Sequence, residues 1–543
     1  MSKSQKKKKV RTDKGKSIRA APESTKEADI SYHEPQTIPP TQKFTGPEFS
    51  LTQDARFAAP EWQQWPFNLI YQSFLLTQQS WHDAISSIDG MSRRDEQVVS
   101  LVARQMLDMM SPSNLLLTNP EVLAHTMRTG GANLIRGTQN MVEDWMRAIS
   151  GKPPLGVEDY QPGRDVAVTP GKVIWRSHLL ELIQYAPQTD KVAAEPILIV
   201  PAWIMKYYIL DLSPYNSFVH YLVEQGFTVF MISWRNPDAS DRDLGMEDYL
   251  AAVDKALDAI GRIVPEAPVH GVGYCLGGTL MSIKAAQMAR DQDDRLKTLT
   301  LFAARTDFED PGELELLISE YTLSFLESMM SDQGYLDIRQ VVEVLKILRS
   351  NDFIWPFYIR DYLMGDREPL SDVSAWSADT TRMPYRMHSE YLRRIVLNDE
   401  LAQGRYQVNG KPVAIGDISV PMFCVATTDD HVAPWKSVYK LHSLAKTDLT
   451  FALTSGGHVD GIVTDPDGDD PRYRIATTPV TAARIASEEW RLRASVKSGS
   501  WWPELATWLR AHSSGAGAPP PMSGAESRTI PLEDAPGNYV FQR

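Results

Sequence analysis

Two kinds of apolar pattern divide the chain. Between residues 49 and 165, apolar positions recur at i, i+3 and i+4, as in "PFNLIYQSFLLTQQSWHDAI" and "EQVVSLVARQMLDMM". That spacing predicts amphipathic helices. "MSPSN" and "LTNPEVLAHTMRTGG" supply helix boundaries through Pro, Asn and Gly. The Met- and aromatic-rich faces of these helices are read as core. From residue 166 the pattern changes to short apolar runs of strand length, "KVIWRS", "LLELIQYAP", "EPILIVPAW", "FTVFMISW", "PVHGVGYC" and "LKTLTLFAA". Between them stand stretches of helical length, "SPYNSFVHYLVEQG" ending at Gly226, "MEDYLAAVDKALDAIGRIV" and "GGTLMSIKAAQMARDQ". Continuously apolar strands alternating with helices predict an α/β fold, a mostly parallel sheet with helices on both faces. Residues 166–305 form the first part of that core. Residues 306–418 interrupt it with a mainly helical, aromatic-rich segment, read as a cap insertion. Residues 419–511 resume it with "VPMFCVAT" and "LTFALTSGG". Residues 512–543 read as a Gly-, Ala- and Pro-rich tail in which "APGNYVFQR" docks.

Composition narrows the classes. At 543 residues, 43% hydrophobic and 23% charged, the chain has the makeup of a globular protein large enough for a sizeable core. The net charge of −13 argues against a nucleic-acid-binding body. Residues 1–48 differ: "MSKSQKKKKVRTDKGKSIR" is basic with almost no apolar content, the composition of a disordered tail. No run of about eighteen apolar residues predicts a membrane span, and no apolar stretch of signal-peptide type opens the chain. Two cysteines suit a reducing compartment rather than a disulfide framework. "TDPDGDDP", residues 464 to 471, lacks the Gly and Glu of a calcium loop and reads as an acidic turn.

One cysteine stands in a place that needs explaining. "GVGYCLGGTL", residues 271 to 280, follows a predicted strand and opens a predicted helix. Leu276 occupies the third-glycine position of G-x-G-x-x-G, so a dinucleotide-binding turn is excluded. Gly273-Tyr274-Cys275-Leu276-Gly277 is instead the nucleophile elbow G-x-S-x-G with Cys in place of Ser. Such a turn lifts its middle residue to the positive end of a helix, which favours an anion there. It also turns the Leu276 N–H toward one half of an oxyanion hole. The elbow fold orders its triad as nucleophile, acid, histidine. "VPMFCVATTDDHVAPW" runs from a strand into a loop with Asp429 and Asp430, and "FALTSGGHVDG" runs into a glycine turn with His458. Cys275, Asp430 and His458 are therefore the candidate triad, with Asp429 as the alternative acid. His431 is assigned a surface or substrate-contact role, and Cys424 that of a buried small apolar residue. A thiol attacking a thioester makes another thioester, so the acyl group stays activated for a second transfer. Cysteine thus points to acyl transfer, with a cysteine-dependent depolymerase or thioesterase on the same fold as the alternative.

These motifs resemble the polyhydroxyalkanoate synthases, the single-subunit, short-chain type in particular. "DARFAAPEW", "MSPSNLLLTNPEV", "GRDVAVTPGKVI", "KYYILDLSPYNSFVHYLVEQGFTVFMISWRNPD", "GYCLGGT", "DDHVAPW" and "GSWWPELATWL" carry the likeness over most of the chain. The resemblance implies an α/β-hydrolase core with a helical cap, a homodimer, and a cytoplasmic enzyme at the surface of polyester granules. It implies transfer of (R)-3-hydroxyacyl groups from coenzyme A thioesters to a growing polyester, with CoA as leaving group and no cofactor. Cys275 would carry acyl group and chain, His458 would activate thiol and incoming hydroxyl, and Asp430 would be the acid partner. "ILRSNDFIW" resembles a cap segment that puts Arg349 at the substrate entrance as a CoA contact. The loop after the first core strand would supply the second oxyanion donor, assigned to Ala202. Two departures stand out: "VPAWIMKYY" has Ala202 and Met205 where the family usually has Pro and Asn, and "GGHVDG" places Asp460 two residues past His458. An anion there would raise the imidazole pKa.

Overall fold

Buried strands that alternate with helices build the frame that holds the elbow. The computed structural model describes residues 54–309, 318–463, 472–522 and 532–543. The basic tail at 1–48 and the acidic stretch at 464–471 lie outside the described residues. The strands of the main sheet are β1 Gly171–Arg176, β2 Leu180–Tyr185, β3 Ile197–Val200, β4 Val229–Trp234, β5 Val269–Tyr274, β6 Leu296–Phe302, β7 Met422–Thr427, β8 Leu449–Thr454, β9 Arg472–Thr478, β10 Ser495–Ser498 and β11 Glu533–Asp534. They lie in the order β10-β9-β8-β7-β6-β5-β3-β4-β2-β1-β11. From β4 to β8 every neighbouring pair is parallel, and the flanking pairs on both sides are antiparallel. The expected mostly parallel α/β sheet is present.

The helices are α1 Phe67–Ser86, α2 Arg93–Met109, α3 Pro120–Thr129, α4 Ala132–Ile149, α5 Phe218–Glu224, α6 Met246–Ile263, α7 Leu276–Asp291, α8 Glu320–Gln333, α9 Ile338–Leu348 and α10 Trp502–Ala511, with shorter turns between them. Alternation along the strands explains the layers. Leu198, Phe230, Leu301, Cys424 and Phe451 face α6 and α7 in one buried cluster. Ile199, Met231, Val272, Phe423 and Ala452 face α5 and α10 in the other. Strands whose two faces both meet helices must be apolar throughout, and β3, β4, β5, β7 and β8 are buried at every position.

Beyond β8, β9 and β10 extend the sheet antiparallel as its margin, β9 burying only Tyr473 and β10 no position. One expectation needs correction. The Met- and aromatic-rich faces of the N-terminal helices are core in part, around Phe57, Trp62 and Leu75 and at Ile85, Leu101 and Val122. Leu76, Trp81, Met106, Met109, Trp145 and Ile149 are exposed, at 54%, 54%, 64%, 63%, 62% and 61%. α1 packs on α2, and α4 ties to the segment Tyr358–Met364 through Asn140 to the Asp361 carbonyl (2.9 Å) and Tyr362 to Asp144 (2.9 Å). Among the described residues no further layer covers the outer stripes.

The cap region is helical but finely broken. It also holds a hairpin, Tyr406–Val408 with Lys411–Val413, and π-helical turns at Tyr358–Met364 and Tyr391–Leu397. Among the described residues, no helix is long and apolar enough to cross a membrane. The segment at 532–543 docks as expected, through β11 and a turn at Tyr539–Phe541.

Candidate active site

Cys275 is the junction of β5 and α7, at φ 53° and ψ −123°. A non-glycine residue keeps such a conformation only where its surroundings over-determine it. Here its N–H donates to the Phe302 carbonyl on β6 (2.9 Å), and its own carbonyl accepts from Gly278 (2.9 Å) and Thr279 (3.2 Å). The two motif glycines are steric necessities. A Cβ on Gly277 would sit 2.1 Å from the Val200 carbonyl oxygen, and one on Gly273 would sit 2.5 Å from Gly278 Cα. α7 can therefore cross the ends of β3 and β5 closely enough to aim its N-terminus beside the half-buried thiol. As the first residue of α7, Leu276 has an amide without an intrahelical acceptor.

The acid and the histidine arrive from the ends of neighbouring strands. Asp430 follows β7, and its side chain is fully buried. One carboxylate oxygen accepts from the Val432 and Ala433 amides (2.8 and 2.7 Å), and the other faces His458 Nδ1 at 2.7 Å and Thr427 Oγ1 at 3.3 Å. Asp429, its neighbour, is exposed and bonds the Thr428 hydroxyl (2.9 Å), so Asp430 is the acid that reaches the ring. His458 follows β8, with a side chain only 11% exposed. Burial alone would depress its pKa. The Asp430 carboxylate and the negative charge of a Cys275 thiolate outweigh burial and raise it well above the usual histidine range. The second ring nitrogen, Nε2, is buried without a hydrogen-bond partner, and Cys275 lies within interaction range of the ring. Asp460 is exposed and takes the Gly457 amide (3.3 Å). Cys424 is fully buried in β7, where desolvation pushes its thiol pKa up.

The loop after β3 lies against the elbow, since the Gly277 position touches Val200 and Pro201. Ala202 in it is buried. Its neighbours are tied from several directions: Trp234 Nε1 donates to the Pro201 carbonyl (2.9 Å), Thr381 Oγ1 to the Trp203 carbonyl (2.9 Å), and Trp376 Nε1 to the Lys206 carbonyl (2.8 Å). Met205 forms a lone bridge with Thr380.

Arg349 and His431 come together beside this centre. Arg349 pairs with Asp352 (2.6 Å), and Phe353 packs on the His431 ring at 6.0 Å. His431 is half-buried rather than a surface residue. Burial, then the Arg349 charge, lowers its pKa, against the pull of Asp430. The far side of the same cap segment is gripped by the N-terminal helices. Gln105 donates to the Leu348 carbonyl (2.6 Å), and the buried Asp108 carboxylate accepts from Asn351 (2.7 Å), Gln78 (3.0 Å) and Arg56 (2.7 Å).

Three contributors escape sequence reasoning. Asp108 and Lys206 meet partners remote in the chain, so no local pattern marks them. Tyr274 could have been noticed as the aromatic inside the elbow motif. Its ring stacks on His458 at 5.6 Å, and its hydroxyl donates to the His458 carbonyl (3.1 Å). Tyr274→Phe leaves that carbonyl unpaired at a cost of about 1 kcal/mol. Turnover should fall several-fold while the thermal midpoint moves little; unchanged steady-state kcat would remove Tyr274 from any role in orienting the imidazole. Among the described residues no group of three or more His, Cys, Asp or Glu side chains could hold a metal ion.

Comparison with known proteins agrees with this geometry. Residues 53–222 match the family model described as the poly-beta-hydroxybutyrate polymerase (PhaC) N-terminus, and residues 195–464 match the alpha/beta hydrolase fold. The chain is 38% identical to a poly(3-hydroxyalkanoate) polymerase of Methylorubrum extorquens, over 90% of this chain and 80% of that one. It is 36% identical to the polymerase subunit PhaC of Rhizobium etli, over 92% and 78%. It is 33% identical to the polymerase subunit PhaC of Cupriavidus necator, over 90% and 83%. A cysteine elbow on a parallel sheet, in a chain this similar to these enzymes along nearly its whole length, belongs to the poly(3-hydroxyalkanoate) polymerases, acyltransferases of the α/β-hydrolase fold.

Proposed function

We propose that this polymerase takes (R)-3-hydroxyacyl groups from coenzyme A thioesters and carries them on Cys275. The Cys275 thiolate attacks the thioester carbonyl. The carbonyl oxygen, as it gains charge, is held by the Leu276 amide and by the loop after β3, where Ala202 offers an N–H that the family's usual proline lacks. The bond to the CoA sulfur breaks, and CoA leaves with the proton held at His458 Nε2. His458 then takes the proton of an incoming 3-hydroxyl, whose oxygen attacks the Cys275 thioester. An ester bond forms, the C–S bond breaks, and the thiolate returns. The elongated chain, still a CoA thioester, goes back onto Cys275 by the same attack. Asp430 holds the imidazole by Nδ1 and stabilises its cation. The reaction so written needs no cofactor.

The observation that carries this reading is the Asp430–His458 pair at 2.7 Å beside a cysteine on the elbow. Arg349 and His431 border the same centre, which supports them as contacts for the CoA moiety, and Phe353 over His431 supports a roof that keeps water from the acyl-enzyme. The exposed apolar stripes of α1, α2 and α4 support contact with a polyester granule in the cytoplasm, or with the second subunit of a homodimer. The test is incubation of purified protein with (R)-3-hydroxybutyryl-CoA, following free CoA and insoluble polyester together. CoA with polymer is the expected result. CoA with soluble hydroxy acid would make the enzyme a thioesterase.

A further inference from the structure

Lys206 is a buried cation that the reaction above does not use. It is 3% exposed and ends the loop that begins at Pro201. Its ammonium donates to two backbone carbonyls of one remote segment, Gln542 at 2.6 Å and Tyr539 at 3.2 Å. That segment is itself fastened. The fully buried Glu181 carboxylate accepts from the Asn538 amide (3.0 Å) and the Tyr539 amide (2.9 Å). The Tyr539 hydroxyl donates to the Ser177 carbonyl (2.7 Å), and the Gln542 side chain takes the Asn236 amide (3.0 Å). Burial draws the Lys206 pKa down to about 8, opposed by Asp379.

We propose that Lys206 is a positioning residue: it clamps the 538–542 segment to the loop after β3 and so holds that loop's backbone N–H against the thioester carbonyl at Cys275. The physical reason is the cost of an unpaired buried ammonium. Without the two carbonyls, Lys206 must turn toward water, and the loop moves with it. The loop's other ties act on the Pro201, Trp203, Ile204 and Lys206 carbonyls and pair Met205 with Thr380, and none of these is made by the Lys206 side chain. A loop whose donor must be placed to within a few tenths of an ångström gains from a second anchor at its far end. The proposal rests on the reading of this loop as the second oxyanion donor.

The test compares Lys206→Met, which keeps the methylene stem and loses every donor, with Ala202→Pro, which deletes the amide itself. Three readouts are taken on the full chain: kcat for CoA release, KM for (R)-3-hydroxybutyryl-CoA, and the rate of Cys275 alkylation by iodoacetamide. Lys206→Met is expected to lower kcat at least about tenfold, with KM within about twofold of the parent and alkylation unchanged, because alkylation needs no oxyanion hole. Parent kcat in Lys206→Met overturns the proposal. So does a kcat loss accompanied by slowed alkylation, which would mark general damage to the elbow. Parent kcat in Ala202→Pro overturns instead the oxyanion reading of Ala202. Should Lys206→Met fail to fold, Lys206→Gln keeps a polar end but is too short and uncharged to hold both carbonyls. It is expected to lower kcat with alkylation unchanged, and parent kcat there again overturns the proposal.

Discussion

Cys275→Ala will abolish CoA release from (R)-3-hydroxybutyryl-CoA and polymer formation together, a loss on the order of 10⁶-fold in turnover. The size follows from the role: without the sulfur there is no acyl-enzyme, and the oxyanion donors and imidazole have nothing to act on. The fold will survive, because the elbow's geometry comes from Gly273, Gly277 and the backbone bonds of residue 275 to Phe302, Gly278 and Thr279, none of which involves the thiol. The positive φ at 275 stays strained for alanine as it is for cysteine. Circular dichroism and thermal midpoint should match the parent. Turnover retained in a folded Cys275→Ala protein would exclude Cys275 as acyl carrier, since Cys424, the other cysteine, is sealed in β7.

Asp430→Asn will lower turnover on the order of 10³-fold and move the titration of His458 downward. The sign follows from the site. Burial opposes the imidazolium, and the Asp430 carboxylate is the first-ranked force that overcomes it. A folded-state pKa raised above the unfolded value means that the Asp430–imidazolium pair adds stability below about pH 6.5. That contribution is lost as pH rises through the raised value. Asparagine keeps the shape but removes the charge, so the His458 midpoint should fall by about 1–3 pH units. The measurement is the pH titration of the His458 ring by NMR in ¹³C-histidine-labelled protein, with His458→Gln to assign the signal. A midpoint unmoved by Asp430→Asn would show that Asp430 does not set the charge of the imidazole.

Much of this was legible in the chain. The helices on both sheet faces could be read from β3, β4 and β7, because a strand covered on both sides has no polar position to spare. The elbow could be read because its constraint is local: Gly273 and Gly277 are required within five residues by the crossing of β5 and α7. The order cysteine, acid, histidine could be read because strand ends deliver these groups in chain order. β9 and β10 were missed for a related reason. At the sheet margin β9 buries only Tyr473 and β10 no position, so neither carries the apolar run that marks a core strand.

Other features depend on which segments meet. The sequence names Asp430 as the acid with its neighbour Asp429 as the alternative, and the Val432 and Ala433 amides with His458 single out Asp430 once β7 and β8 lie side by side. The apolar stripes of α1 and α2 have the same period whether covered or bare, so periodicity could not tell core from exposed surface. Lys206 and its carbonyl at Gln542 stand 336 residues apart, and Asp108 and Asn351 stand 243 apart. The sequence by itself determined the layers of the fold and the chemistry of its elbow, since both are short-range demands on polarity and steric room. Only the tertiary structure decided which acid serves the histidine, which apolar faces stay open, and which buried charges brace the site, because each depends on a partner from a distant part of the chain.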